Sequence, residues 1–554
     1  MFSKSIQFAS LCLCASLLAC NGHPSPTDSA DNTVDNTVDN TDTASNAAID
    51  TGTSTIDADD DGYASDVDCN DNDPTIHPEA QEVCDGIDNN CDDEVDEGLR
   101  ITLYMDGDAD GFGDADQSIE ECGEESGYVT DSSDCDDTNA TVFPGSHTTE
   151  VPGDKIDQDC DGFDACTDLN CDGWPDILTT QSQEATDISE AELRIHYGSE
   201  VGFSADNIAS LPTQFASHAT TGDLNGDGYL DILFSEDEFY GGGLSPAYAW
   251  IYWGSADTYS ESNRASLPVQ MSWGTAAFDM NGDSYLDLAV SSYDENSQPG
   301  LWVYAGHVDG YTQENAHYLS SQSMVSQITP ADLNGDGFID LTIAGWGESG
   351  SAIYWGSEDG FDTESQTEFV TGGHAWDVLV DDFNGDTYLD LLFTHQYGSG
   401  GLGDFEGPSV VYWGTVTGPD LDHATELDTY AAAGACSGDL NADGYPDAVI
   451  TELEWYSASK TGDKATIFWG SATGLSDGER TEVPATGPAG CSIYDLNLDG
   501  YPDLIIGNQS NGSSVDIDSQ IHWGGEDGVD VNNWTPLSTR GVYSVVTHPL
   551  ENGY

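Results

Sequence analysis

A nine-residue pattern recurs seven times along this chain, and its spacing leaves few folds open. The first three copies are Asp168-x-Asn170-x-Asp172-Gly173-Trp174-x-Asp176, Asp223-x-Asn225-x-Asp227-Gly228-Tyr229-x-Asp231 and Asp279-x-Asn281-x-Asp283-Ser284-Tyr285-x-Asp287. The next two are Asp332-x-Asn334-x-Asp336-Gly337-Phe338-x-Asp340 and Asp382-x-Asn384-x-Asp386-Thr387-Tyr388-x-Asp390. The last two are Asp439-x-Asn441-x-Asp443-Gly444-Tyr445-x-Asp447 and Asp495-x-Asn497-x-Asp499-Gly500-Tyr501-x-Asp503. Starts are separated by 55, 56, 53, 50, 57 and 56 residues. A period near fifty with several strands per unit belongs to a propeller or a solenoid.

Strand signals repeat with the same period. A short β-rich run precedes each loop, as at Gly274–Phe278, and an apolar run follows it, as at Ile232-Leu233-Phe234. About twenty residues later comes Ile251-Tyr252-Trp253-Gly254 or its equivalent, and a more variable fourth stretch completes the unit. Four short antiparallel strands make a blade, and seven blades close a ring, so the chain is predicted to be all-β with a seven-bladed β-propeller. Helical periodicity is nearly absent. The first loop lacks the strand that should precede it, whereas Gly541–Thr547 is a β-rich run with no loop after it. That last run is expected to complete blade one and leave no sheet edge open.

Residues 57–164 precede the propeller as an acidic, Cys-rich, loop-dominated segment. Asp57, Asp59, Asp61, Gly62 and Tyr63 open it, with Asp68 downstream; Asp106, Asp108, Asp110, Gly111 and Phe112 repeat the spacing. Carboxylates at alternate positions converge on one cation when the chain wraps, and Gly at the sixth place permits the sharp turn. All-oxygen donors indicate a hard cation, calcium first. Asp68-Cys69-Asn70-Asp71 matches Asp134-Cys135-Asp136-Asp137, so the segment reads as two copies of one unit. The chain has 13 Cys, of which Cys12, Cys14 and Cys20 lie at the N-terminus. The remaining ten suit five disulfides in an exported protein, and their spacings lack the tight pairs that zinc needs. Cys436 and Cys491 either staple adjacent inner strands or stay as buried thiols.

The Asp-Cys and Asp-Gly-x-Asp-Asn-x-Cys motifs of the acidic segment resemble the metal-binding repeat of the MopE type, and more loosely thrombospondin type 3 repeats. The second copy departs from that pattern, because Val151-Pro152 stands where Cys84 would fall; its pairing stays open. Residues 168 to about 548 resemble VCBS or FG-GAP repeats, the integrin-α-like propellers, over about 70% of the chain. That resemblance implies one calcium in each loop, about seven in the propeller, besides those of the acidic segment. By position, side-chain ligands would be residues one, three, five and nine. The seventh residue (Trp174, Tyr229, Tyr285, Phe338, Tyr388, Tyr445 or Tyr501) would ligate through its carbonyl, as Tyr63 and Phe112 would in the acidic loops. Four acid or amide oxygens, a carbonyl and water reach the six to eight oxygens that calcium takes. Ser284 and Thr387 replace Gly at the sixth place, so their turns are expected to be strained and their sites weaker.

The N-terminus carries an address. Residues 1–19 read as a signal segment, with Lys4 ahead of a short apolar core that ends Leu17-Leu18-Ala19-Cys20. That ending resembles a bacterial lipobox, which implies lipidation of Cys20, and Asn21 after it favours the outer membrane. Residues 20–56 have almost no large apolar side chains and read as an extended tether, so the folded part spans 57–164 and then 165–548. Asp plus Glu total 104 against 9 Lys plus Arg, a formal charge of −95. That balance argues against nucleic acid and against docking on anionic lipid, leaving the lipid anchor as the membrane contact.

No catalytic set stands out. Gly474-Leu475-Ser476-Asp477-Gly478 fits a nucleophile elbow in letters but falls at a hairpin turn. Trp253, Trp355, Trp413, Trp469 and Trp523 share one strand position; interblade packing is favoured over sugar stacking. The expectation is a monomeric, non-enzymatic, calcium-binding surface lipoprotein whose propeller binds a glycan or a surface protein. A polysaccharide-active enzyme and a passive acidic calcium store are the alternatives.

Overall fold

The computed structural model describes residues 56–547, excluding 124, 145–159, 161–165, 182–191, 214–215, 237–247, 257–258, 270–271, 284, 294–297, 308–309, 348–349, 359, 362–365, 370, 399–403, 455–461 and 527. The signal segment, Cys20, most of the tether, Val151-Pro152 and Ser284 lie outside the described residues. The chain divides into two compact units, Met1–Asp96 and Glu97–Tyr554.

In the first unit the described residues form turns fastened by carboxylates and by the Cys69–Cys91 disulfide. The second unit opens with a small sheet in which Ile101–Met105 pairs with both Asp114–Glu121 and Tyr128–Val129. That sheet within the acidic segment was not expected from the sequence. Beyond it stand seven four-stranded antiparallel sheets among the described residues. The one described helical turn in the chain is a short 3₁₀ segment, Gln313–Asn315.

Each sheet is built the same way. In the second, Ala216–Gly222, Asp231–Glu236, Tyr248–Tyr252 and Arg264–Pro268 pair in chain order. The second strand is buried almost throughout, because neighbouring blades cover both of its faces. That is why it reads as a continuous apolar run. The first strands are rich in small residues, such as Ala276 and Ala277 of Thr275–Phe278, since they crowd toward an axis. The first sheet is completed from the far end of the chain. Val542–Val546 pairs antiparallel with Ile177–Gln181, and the Ser544 N–H donates to Thr180 Oγ1 at 2.9 Å. The expected clasp is therefore present.

First strands of consecutive sheets lie against one another, and the last, Pro488–Tyr494, meets the clasping strand Val542–Val546, which in turn meets Ala216–Gly222. The ring closes. Apolar clusters fill every gap between neighbours. Leu224, Leu233, Leu288 and Tyr304 join sheets two and three, and Ile177, Leu496, Ile505 and Val542 join seven and one. Cys436 and Cys491 form a disulfide between the first strands of sheets six and seven, which decides between the two readings of that pair.

A further cluster fills the axis. Trp376, on the first strand of the fifth sheet, meets Tyr543 on the clasping strand with ring centroids 6.1 Å apart. It also meets Trp273 at 6.0 Å and Trp346 at 5.1 Å. Ala433 and Ala489, on intervening first strands, make room for the indoles. All these residues lie near the starts of first strands or the end of a second one, so the plug sits at the end of the ring away from the nine-residue loops. His218 packs edge-on to Tyr543 at 5.5 Å, and one ring nitrogen faces the Trp273 carbonyl at 3.0 Å.

Burial pulls His218 and His395 down to about 4. An unfolded chain protonates both below about pH 6.5, whereas the folded chain stays neutral to about 4. Their contribution to stability is therefore complete above about 6.5 and lost as the pH falls toward 4. We expect His218→Gln to lose less stability than wild type between about pH 7 and about pH 5, by on the order of 1–2 kcal/mol. Urea midpoints at one calcium concentration provide the measurement; equal acid losses would contradict the assignment.

Candidate metal centres

In blades two to seven each nine-residue loop lies directly between the first and second strand and its ninth residue begins the second; in blade one the loop leads into Ile177–Gln181, and the first strand is supplied by Val542–Val546. The backbone folds the same way each time because two positions take left-handed geometry. The fourth place has positive φ in every copy: Cys171 +58°, Gly226 +72°, Gly282 +73°, Gly335 +69°, Gly385 +69°, Ala442 +56° and Leu498 +56°. The sixth place does too in the six loops where it is described, the glycines there running from Gly228 at +79° to Gly500 at +89°. Thr387 adopts +75° there, so the expected strain is present in that loop.

Side chains one, three and five then fold inward onto the loop's own N–H groups. Asp223 accepts the Asp227 N–H at 3.1 Å on Oδ1 and the Gly228 N–H at 2.8 Å on Oδ2. Asn225 Oδ1 accepts the Asp227 N–H at 2.9 Å, and Asp227 Oδ1 accepts the Tyr229 N–H at 3.0 Å. The same set recurs around Asp168, Asn170 and Asp172, around Asp332, Asn334 and Asp336, and around Asp382, Asn384 and Asp386. It recurs again around Asp439, Asn441 and Asp443, and around Asp495, Asn497 and Asp499. In the third loop Asp279, Asn281 and Asp283 keep the part that avoids Ser284.

Residue nine has a second task. Asp231 Oδ2 accepts the Leu224 N–H at 2.9 Å, and its Oδ1 accepts the Gly254 N–H at 2.7 Å. Asp176, Asp287, Asp340, Asp390, Asp447 and Asp503 bond the equivalent second residue and the equivalent glycine. Each carboxylate oxygen keeps a second lone pair, so this anchoring is compatible with a cation. The glycine is obligatory: a Cβ on Gly254 would lie 2.4 Å from the Leu230 carbonyl oxygen. Sequence reading found the Tyr-Trp-Gly motif but not this use of it.

No Lys or Arg is ion-paired with these seven carboxylates in the described residues. Burial pushes Asp176 and Asp231 up to about 8, Asp340, Asp390 and Asp447 to about 7, and Asp287 and Asp503 to about 6. A buried acid that lacks a charge partner is what a bound cation would neutralise, and the donors are all oxygen, so the residues fit a hard cation.

The acidic loops repeat the geometry. Asp60 and Ala109 take the left-handed fourth place, at +65° and +71°, with Gly62 and Gly111 at the sixth. Asp57 Oδ2 accepts the Gly62 N–H at 3.1 Å, and Asp61 and Asp110 bond the N–H of Tyr63 and Phe112 at 2.8 and 2.9 Å. Asp57, Asp59 and Asp61 gather oxygens within 4.8 Å of one another, as do Asp106, Asp108 and Asp110. Asp68 joins Asp59 and Asp71; sequence reading missed Asp71 as a participant.

Other candidates resolve into structure. The Trp355, Trp413, Trp469 and Trp523 indoles donate to Thr367, Thr425, Thr481 and Thr535 on the fourth strands, at 2.8 to 3.0 Å. Trp253, Trp355, Trp413, Trp469 and Trp523 all pack against interblade clusters, so the stripe is packing. Gly474–Gly478 lies between two strands with no helix after it, and Asp477 bonds Arg480 and the Asp428 N–H, so it is no nucleophile elbow.

The chain matches the "FG-GAP-like repeat" family at residues 168–234, 279–343, 332–393 and 439–506, segments that contain all seven loops. It matches the family described as "Putative metal-binding motif", of the MopE type, at 68–97 and 134–165. No curated protein matches the chain. Among solved structures, a Lactobacillus plantarum protein is similar at 11% identity and a TM-score of 0.44, covering 68% of this chain and 99% of its own. A Bacteroides fragilis protein described as a "putative 6-phosphogluconolactonase" is similar at 11% identity and a TM-score of 0.41, covering 68% and 98%.

Relief of the Thr387 strain should be measurable. We expect Thr387→Gly to stabilise the protein by about 1 kcal/mol, seen as a higher urea midpoint in metal-saturated protein; a lower midpoint would mean the threonine side chain has a compensating role. Repeats, motifs and geometry agree: the chain carries FG-GAP-like repeats between residues 168 and 506, with motifs of the MopE type ahead of them.

Proposed function

We propose that the protein is a calcium-dependent binding module of the cell surface. The observation that carries this reading is the sevenfold loop with three inward acid or amide side chains and a buried ninth carboxylate without a cationic partner. Residues one, three, five and nine of each loop, with the seventh carbonyl, would hold the ion. Bound there, it supplies charge neutralisation and fixes the hairpin between first and second strands. The acidic loops at Asp57–Tyr63 and Asp106–Phe112 are read in the same way.

The metal would serve the frame and leave binding to other surfaces. Connections between second and third strands, at the opposite end, vary from residues 347–350 to residues 453–463. Variable connections on a fixed ring suit recognition of a glycan or surface protein. We assign no catalytic role, and read the chain as a monomer tethered to the outer membrane through Cys20 and residues 20–56. Among the described residues no helix is long and apolar enough to cross a membrane.

Chelation should be costly, since ions that bind only the folded loops stabilise them by mass action. We expect EDTA to lower the melting temperature strongly and calcium to restore it; an unchanged melting curve would refute the metal reading. Asp227→Ala should lose about one bound calcium by calorimetry. A glycan array with and without calcium tests the binding role: saturable, EDTA-sensitive binding supports it. Polysaccharide turnover, or calcium uptake with no partner bound, would replace it.

A further inference from the structure

We infer that each acidic repeat builds one hard-cation site out of two separate motifs, the Asp-x-Asp-x-Asp-Gly loop and the Asp-Cys-x-Asp segment that begins its disulfide. The inference rests on the metal reading above but not on the propeller loops. In the first repeat Asp71 Oδ1 accepts the Ala58 N–H at 3.0 Å; in the second Asp137 Oδ1 accepts the Gly107 N–H at 2.6 Å. The two motifs are thus docked the same way in both copies.

What the docking leaves over points to an ion. Asp68 is 7% exposed, its Oδ1 accepts the Asn70 N–H at 2.8 Å, and its Oδ2 is buried with no hydrogen-bond partner. Oδ2 of Asp59 and of Asp61 are in the same state. Oxygens of Asp59, Asp68 and Asp71 come within 4.8 Å of one another. The second repeat reproduces the trio, with Oδ2 of Asp108, Asp110 and Asp134 buried and without partners. A buried acceptor left without a donor is destabilising. Three carboxylate oxygens in that state, arrived at twice at equivalent positions, require a shared positive charge. The trio itself offers only oxygens, and the cysteine sulfurs beside Asp68 and Asp134 are tied up in the Cys69–Cys91 and Cys135–Cys160 disulfides. Soft-metal chemistry therefore has no ligand to use, and a calcium-class ion fits. Because Asp68 and Asp134 directly precede those cysteines, ion and disulfide fasten the same peptide.

Equilibrium dialysis of the full chain with radioactive calcium tests this. Asp68→Asn and Asp134→Asn should each lose one bound ion, and the double variant two. Asp59→Asn should also lose one without touching the residue beside Cys69, which separates ligand loss from mispairing. Asp60→Asn, whose side chain is exposed, should lose none. Full calcium binding in Asp68→Asn and Asp134→Asn, an equal loss in Asp60→Asn, or uptake at these sites of copper in place of calcium overturns the inference. Asp227→Ala, measured alongside, reports on the propeller reading alone: if only it retains every ion, that reading fails and this one stands.

Discussion

The carboxylate at the ninth place of each loop accepts one N–H from the loop and another from the glycine after the third strand, so one buried side chain holds three segments of a blade. Geometry elsewhere follows from that joint. The glycine is required because the turn lies against the carbonyl of the eighth residue, and the loop can be short because its end is fixed. The buried acid is also the weak point. Hydrogen bonds from neutral N–H groups do not repay the desolvation of a full charge in seven places. On the metal reading proposed above, frame and ion would form one device, and the sequence's shortage of Lys and Arg is consistent with leaving that role to metal.

Repetition made most of this visible before any coordinates. A period near fifty, with apolar runs placed alike in every unit, specifies four strands, and the strand missing before Asp168 together with the surplus one at Gly541–Thr547 specifies the clasp. Features that break the repeat were harder to see. Trp273 and Trp376 share one place, six residues before their loops, but Ser217, Ser326, Ala433 and Ala489 hold that place elsewhere and Trp346 lies after its loop, so the pattern is broken in sequence and only ring closure gathers the rings. Cys436 and Cys491 read equally well as thiols until adjacent first strands were known to touch. Asp71, Asp134 and Asp137 were masked by the abundance of acid around them, since composition cannot tell a docking carboxylate from a solvated one.

The two kinds of loop share one conformation in different surroundings. In the propeller the hairpin is backed by strands and interblade clusters, so its geometry has support from packing. Among the described residues the first acidic loop has no strand beside it and is held by the Cys69–Cys91 disulfide, whereas the second lies between the strands Ile101–Met105 and Asp114–Glu121, with the Cys135–Cys160 disulfide nearby. The same turn conformation thus occurs with interblade packing behind it or with a disulfide beside it.

Sheet one borrows its innermost strand, Val542–Val546, from the opposite extremity of the chain. A ribosome delivers that strand some 360 residues after its pairing partner Ile177–Gln181, so blade one waits, incomplete, through nearly the whole of synthesis. Circular closure is consequently the final event of maturation rather than an early one. A nascent polypeptide kept open in this manner stays threadable until its last blade strand arrives, a property that accords with the export proposed above.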